Sequence, residues 1–183
     1  GWIGFSPDSA RFATTHTRDT GIELWVGDTA TGAAKAITPA QLNSALGSTQ
    51  APSACKWVAQ GASLLCAFTS SSRGAAPAEP TVPSGPNIQE NRGVPSPVRT
   101  YQDLLTSPYD EALFEYYATS QLAVVDAVSG ARAPLGRPGI FQSFAPSPDG
   151  NFVLIARVKR PFSWLVPYDD FPTAVEVWDR KGA

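Results

Sequence analysis

The chain has 183 residues, 43% of them hydrophobic and 16% charged, a balance that suits a globular body with a substantial core. A formal net charge of -2 and a pI near 5.3 exclude the clustered excess of Lys and Arg that a nucleic-acid footprint needs. The longest apolar runs, such as 152–156, have strand length and fall far short of the roughly 20 residues of a membrane-crossing helix.

The chain opens on a strand-like Trp2-Ile3-Gly4-Phe5, which reads as a start without a signal peptide. It contains no Met, which reads as a processed product or a fragment. A tight-turn signature follows, Ser6-Pro7-Asp8-Ser9, then strands over 11–16 and 21–26. The third strand ends in a second signature, Leu24-Trp25-Val26-Gly27-Asp28-Thr29-Ala30-Thr31-Gly32, and a fourth strand covers 33–38. The pattern then recurs. Strands over 54–58 and 63–69 flank a degenerate turn, Val58-Ala59-Gln60-Gly61. Strands over 121–125 and 131–135 flank Asp126-Ala127-Val128-Ser129-Gly130. In the third pass, strands over 140–145 and 151–158 flank Ser147-Pro148-Asp149-Gly150. The strand 174–178 then leads into Asp179-Arg180-Lys181-Gly182, with no fourth strand after it. Each Asp in these turns is placed to bond turn amides.

The interval between the two signatures is 20 residues from Asp8 to Asp28, 66 from Gln60 to Asp126 and 30 from Asp149 to Asp179. The units are alike except for insertions at one place. In an up-and-down sheet the short turns share one end. The long connections 17–20, 39–53, 70–119 and 159–173 share the other, where loop elaboration carries binding. Repeated four-stranded units describe a β-propeller, a ring of about 4 to 8 such blades. The chain therefore reads as all-β: a partial propeller of nearly three antiparallel blades with a short helical insertion in the second. The blades span 1–38, 54–135 with insertion 70–119, and 140–183, incomplete, with insertion 159–173. More blades are expected than these residues contain.

In the large insertion, 70–97 is rich in Pro, Gly and Ser and reads as coil. The stretch 100–117 reads as helix, with Ser107 as cap, Pro108 at the first helical position, and Asp110, Glu111 and Glu115 near the positive end. Leu113, Tyr116 and Tyr117 give it an apolar side. The two cysteines, Cys55 and Cys66, fall opposite each other if Gln60-Gly61 is a two-residue turn. That register makes them a hydrogen-bonded pair with Cα atoms about 5.5 Å apart. Both a disulfide and two separate buried thiols fit.

Further residues carry a family resemblance. Asn87-Ile88-Gln89-Glu90-Asn91 precedes Val98-Arg99-Thr100-Tyr101-Gln102-Asp103-Leu104-Leu105, then Tyr109-Asp110-Glu111 and Leu113-Phe114-Glu115-Tyr116-Tyr117. Arg160-Pro161-Phe162-Ser163, Leu165-Val166-Pro167-Tyr168 and Phe171-Pro172 follow. The series resembles the N-terminal propeller of prolyl-oligopeptidase-family serine peptidases, and within them the glutamyl endopeptidase branch of plant chloroplasts and bacteria. The resemblance implies a seven-bladed propeller covering a C-terminal α/β-hydrolase domain, absent here, that carries a Ser-Asp-His triad and cleaves peptides after Glu. It also implies a chloroplast setting for a plant source and a secreted or periplasmic one for a bacterial source. Peptide substrate, the remaining blades and the catalytic domain are the expected partners, with no membrane or nucleic acid.

The residues themselves carry no hydrolytic machinery. No Gly-x-Ser-x-Gly elbow occurs, and the one histidine, His16, sits on a strand edge between two threonines. Cysteine spacing and Asp169-Asp170 do not make a metal site, and no phosphate-cradling loop occurs, so no cofactor is expected. What remains is substrate recognition. A Glu side chain is best held by an Arg fork. Arg160, beside Phe162 and Trp164, and Arg99, beside Tyr101, both lie on long connections and are the candidate substrate-binding residues with Tyr101. The alternative is that each Arg anchors its own loop through carbonyls or a local acid such as Asp103. A rival function is a non-catalytic propeller scaffold that binds a protein or peptide partner.

Overall fold

The computed structural model describes residues 1–46, 54–58, 61–81 and 104–183. Among these, β1 (Trp2–Phe5), β2 (Arg11–Arg18), β3 (Gly21–Asp28) and β4 (Ala34–Ala36) form one antiparallel sheet in chain order. A six-stranded sheet follows, also in chain order: β5 (Cys55–Trp57), β6 (Ser63–Thr69), β7 (Thr119–Asp126), β8 (Arg132–Pro146), β9 (Phe152–Val158) and β10 (Thr173–Asp179). An α-helix, α1 (Pro108–Ala118), leads directly into β7, and a short 3-10 turn covers Tyr168–Asp170. The fold is the all-β, partial β-propeller that the repeats imply.

The tight turns explain why these strands form. The Ser6 hydroxyl accepts from the Arg11 amide at 2.9 Å and donates to the Asp8 carboxylate at 2.5 Å. Asp8 in turn accepts from the Ala10 amide at 3.1 Å. Ser147 repeats this with Phe152 at 3.0 Å and Asp149 at 2.5 Å, and Asp149 accepts from the Asn151 amide at 3.0 Å. The second signature is equally regular. Asp28 accepts from the Thr31 amide at 2.9 Å, Asp126 from the Ser129 amide at 2.7 Å and Asp179 from the Lys181 amide at 2.8 Å.

Packing follows strand alternation. Along β6, Leu64, Cys66 and Phe68 face the first sheet, where they meet Ala13, Leu24 and Val26. The intervening Leu65 and Ala67 face the other way, onto Phe141, Val153, Ile155 and Trp178. The middle unit, β5 to β7 with the first part of β8, is thus apolar on both sides and buried between its neighbours. Residues 41–43 tie the two sheets together. The Leu42 amide donates to Ile22 at 3.0 Å and the Asn43 amide to Ala67 at 2.9 Å.

Two expectations are corrected. The segments 131–135 and 140–145 are not separate strands but parts of β8, so the expected boundary at 135–140 falls inside one continuous strand. Gly136, Pro138 and Gly139 look like breakers in sequence. Here they form a bulge, with Leu122 opposite Leu135 but Ser120 opposite Gly139. The Gln121 amide donates to the Leu122, Leu135 and Gly136 carbonyls at 2.9, 3.1 and 3.1 Å, which serves the backbone at the bulge. Beyond Ile140 the strand leaves β7 and pairs with β9.

The second correction concerns the cysteines. They face each other and form a disulfide, but their Cα atoms are 4.1 Å apart, the spacing of a pair without mutual backbone bonds. The Val58 amide donates to Ser63 and the Ala67 amide to Ala54, so the bonded pairs alternate one position away from the expected register. The loop closes between Val58 and Ser63, longer than a two-residue turn, and that moves the ladder by one. Residues 59 and 60 lie outside the described residues.

Two measurements test this frame. Gly130 (φ 74°) lies so close to the first sheet that a Cβ there would sit 2.0 Å from the Ile37 carbonyl oxygen. Gly32 (φ 70°) has open space around it. Gly32→Ala therefore costs only the left-handed backbone penalty, about 1–2 kcal/mol. Gly130→Ala costs more in urea unfolding, and equal costs would refute the Gly130–Ile37 approach. Separately, the Asp149 carboxyl is held down at about 2 by the Ser147 hydroxyl and the Asn151 amide. A lowered carboxylate adds stability above its ordinary value and loses that contribution as pH falls toward the lowered one. An NMR titration of Asp149 with a midpoint near the ordinary Asp value would contradict the turn geometry.

Candidate functional site

The long connections meet at one edge of the molecule. Helix α1 begins there because Ser107 accepts from the Asp110 amide at 3.1 Å and Pro108 occupies the first turn. Thr106 donates to the Asp110 carboxylate through its amide at 2.8 Å and its hydroxyl at 2.6 Å. Residues 104–106 are not helical, so the helix starts later than the sequence suggests. Its buried side also differs from the expected one. Phe114 and Ala118, four residues apart, join the core beneath, whereas Tyr117 is exposed. Tyr116 is held at the rim, with its hydroxyl donating to Gly74 at 3.3 Å and Arg73 stacked on its ring.

The connection 159–173 lies against this helix. Phe114, Phe162 and Phe171 form a three-ring cluster with centroids 5.0, 5.5 and 5.6 Å apart. Above it, the two arms of the Arg160 guanidinium donate to Glu111 and Glu115, each at 2.7 Å, while the same group lies over the Phe162 ring at 4.5 Å. The Trp164 indole donates to the other oxygen of Glu111 at 2.7 Å. Behind the helix, Asn43 donates to the Tyr117 and Thr119 carbonyls at 2.9 and 3.1 Å, and Arg73 donates to the same two at 3.2 and 3.3 Å. A cation thus stands at the helix C-terminus although the last turn has no basic residue of its own.

Among the candidate residues, Arg160 is brought together with its expected neighbours Phe162 and Trp164. Its fork is filled by two carboxylates of the adjacent unit, Glu111 and Glu115; Asp103 lies outside the described residues. Arg99 and Tyr101 lie outside the described residues. Sequence reasoning assigned Glu111 and Glu115 to the helix start alone. Their spacing of four places them on one helix face, and that signal pointed to a shared cation. One guanidinium against two carboxylates leaves the cluster negative. The Trp164 indole and then Arg160 hold the Glu111 carboxyl below its ordinary value. Glu115 first and Glu111 next raise Arg160.

The chemistry open to this edge is the binding of charged groups. No cluster of metal-ligating side chains occurs among the described residues, and His16 lies elsewhere, its ring against Trp25 at 4.7 Å. A cavity of about 60 Å³ between the middle unit and the later part of β8 is lined by Lys56, Asn43 and Gln142, among others. No described helix is long and apolar enough to cross a membrane.

No protein-family model matches the chain. It is 40% identical over 165 residues to a protein of Oryza sativa subsp. japonica named probable glutamyl endopeptidase, chloroplastic, across 88% of this chain and 17% of that protein. A protein of the same name from Arabidopsis thaliana is 39% identical over 163 residues, across 87% and 16%. The chain thus spans about one sixth of the length of these relatives. In structure it is similar to an acylaminoacyl peptidase in complex with Z-Gly-Gly-Phe-chloromethyl ketone, with a TM-score of 0.53 and 12% identity over 98% of this chain and 23% of that one. It is also similar to a putative TolB from Agrobacterium tumefaciens, with a TM-score of 0.51 and 13% identity over 99% and 46%. At such identities these two likenesses carry the propeller fold alone.

The clasp predicts an acid-sensitive contact. A carboxyl lowered on folding contributes above its ordinary value and is lost as pH falls through the lowered one. Fluorescence attributable to Trp164, isolated against Trp164→Phe, changes with a midpoint below the ordinary Glu value of 4.5. Arg160→Gln moves that midpoint back toward 4.5 and speeds proteolysis next to α1. An unchanged midpoint would remove Arg160 as the partner of Glu111.

Proposed function

Because the chain belongs to the glutamyl endopeptidase branch of the prolyl-oligopeptidase family, as a segment of its propeller, we propose that it admits and helps hold the peptide substrate of a serine endopeptidase that cleaves after Glu. The nucleophile and its base belong to a catalytic domain outside these residues. The observation that carries this reading is the 40% identity to a glutamyl endopeptidase across 88% of the chain. Its support from the molecule is the edge where the two largest insertions meet.

Arg160 is the candidate for the substrate's acid. In the free protein Glu111 and Glu115 occupy its fork. Glu115 is the more exposed of the two, at 50% against 21%. An entering glutamyl side chain takes the place of Glu115 while Glu111 and Trp164 keep the guanidinium in position. Arg99 and Tyr101 remain candidates on the neighbouring part of the same insertion.

The test is kinetic, on the complete protein, with matched peptides carrying Glu or Gln before the scissile bond. Glu115→Gln frees one arm of Arg160 and raises kcat/KM for the Glu peptide relative to Gln. Arg160→Lys keeps the charge and loses the fork. It lowers the Glu-to-Gln preference by about 10- to 100-fold, the range of one or two charge-assisted hydrogen bonds. Equal loss on both peptides leaves Arg160 as a clasp alone, and a complete protein that cleaves neither peptide removes the peptidase reading.

A further inference from the structure

The first strands of the middle and third units, β5 and the later part of β8, leave a gap between them beside the end of α1. The cavity there holds about 60 Å³, against the ~10–15 Å³ that one water needs, so a small charged group fits together with water. Phe141, 5% exposed, and Phe144 form an apolar wall. Lys56 enters from β5, opposite Leu65 in register, on the side that faces the third unit. β8 carries a bulge at this level. Phe141 lies opposite Arg157 and Ser143 opposite Ala156, so Gln142 is one residue extra. Bulges re-aim side chains and recur beside active sites.

The polar groups around this cavity divide into two sets. One set is committed to the frame. Asn43 donates to the Tyr117 and Thr119 carbonyls and accepts from the Ala45 amide at 3.0 Å. Gln142 donates to the Asp169 carbonyl at 2.8 Å and accepts from the Thr173 hydroxyl at 3.4 Å. The Ser120 hydroxyl donates to the Ala118 carbonyl at 3.3 Å. The other set is free: the Lys56 ammonium and the Ser143 hydroxyl have no bonding partner among the described residues. Lys56 is half-buried, and among the described residues it is the only charged side chain of the lining. A cation drawn away from water calls for an anion. Beside an aromatic wall the attraction between them exceeds its value in bulk water, because the local dielectric is lower.

We propose that Lys56, with the Ser143 hydroxyl beside it, binds a second carboxylate of the peptide, so that the preferred substrates are acidic beyond the Glu at the scissile bond. The inference rests on the peptidase reading and narrows its substrate class. Helix α1 links the two cationic sites. Glu115, in the Arg160 fork, and Ala118, at the cavity wall, are separated by a rise of about 4.5 Å. The bond from Gln142 to Asp169 ties the connection that bears Arg160 to the cavity rim. An extended peptide covers about 3.3 Å per residue, so with side-chain reach one peptide spans both sites within about five residues.

The experiment uses the complete protein and C-terminally amidated peptides with Glu before the scissile bond. Each carries Asp, or Asn in its twin, at one position within about five residues of that Glu. At the matching position Asp raises kcat/KM over Asn by about tenfold, the weight of one charge-assisted hydrogen bond. Lys56→Gln removes that preference and Lys56→Arg keeps it. A free-acid version of each peptide tests the chain end, and a Lys56-dependent gain there assigns the carboxylate to the terminus rather than to a side chain. No preference at any position or at the chain end would overturn the proposal. So would a preference that survives Lys56→Gln, or an equal loss on both twins. Binding is also read without turnover, by mass mapping of lysine acylation with a succinimidyl ester. The probe is the Asp peptide with its scissile amide methylated, so that it is not cut. At about ten times its Kd it slows acylation of Lys56 by about tenfold, whereas its Asn twin at the same concentration does not. The exposed Lys35 serves as reference and reacts equally under both. A protein that cleaves neither peptide removes the peptidase reading while protection of Lys56 still supports this site. Lys56 left unprotected by the Asp peptide overturns it.

Discussion

The middle unit is apolar on both faces, and the rest of the molecule follows from that. A strand normally hides one set of side chains and wets the other. On β6, Leu64, Leu65, Cys66, Ala67 and Phe68 are all buried. Such a sheet has no solvent side and is stable only between two others, so stacking is a condition of folding here. The small residues at the junctions serve this close approach. Gly130 lets the second signature turn reach Ile37, and Gly136 lets the Trp178 ring come close to the bulge.

Stacking constrains the strands and leaves their connections free. The short turns are spent on geometry: Asp8, Asp28, Asp126, Asp149 and Asp179 each bond turn amides. The opposite edge carries the insertions, and there the units join in another way. An aromatic cluster supplies the contact, and one guanidinium shared by Glu111 and Glu115 supplies the direction. These charges are partly exposed, so water and salt weaken their attraction. Such a clasp holds a helix in place while remaining open to exchange with an incoming carboxylate. That property suits the proposed entry of a peptide at this edge.

Much of this was legible in the chain itself. Repeated Ser-Pro-Asp and Asp-to-Gly turns fixed the strand boundaries, because turn chemistry is local and Ser, Asp and Gly act on amides a few residues away. Ser107-Pro108 marked the cap of α1 for the same local reason, although the stretch read as helix began earlier, at 100. The meeting of the two insertions at one edge followed from counting turns in an up-and-down sheet.

What tertiary structure alone decided concerns partners distant in sequence. Arg160 announces a cation on a loop, but Glu111 and Glu115 become its ligands only when two units stack and bring residues about 45 positions apart into reach. The glycines of 136–139 read as a break and became a bulge, because β7 on one side and β9 on the other supply the bonds that keep the strand extended. The pairing of Cys55 with Cys66 could be counted, yet whether backbone bonds flank it depended on which pair of residues closes the loop. Periodicity and turn residues act within a few positions and are written in the chain. Registers across loops and the choice of a charged partner are settled by packing, where many weak contacts act together.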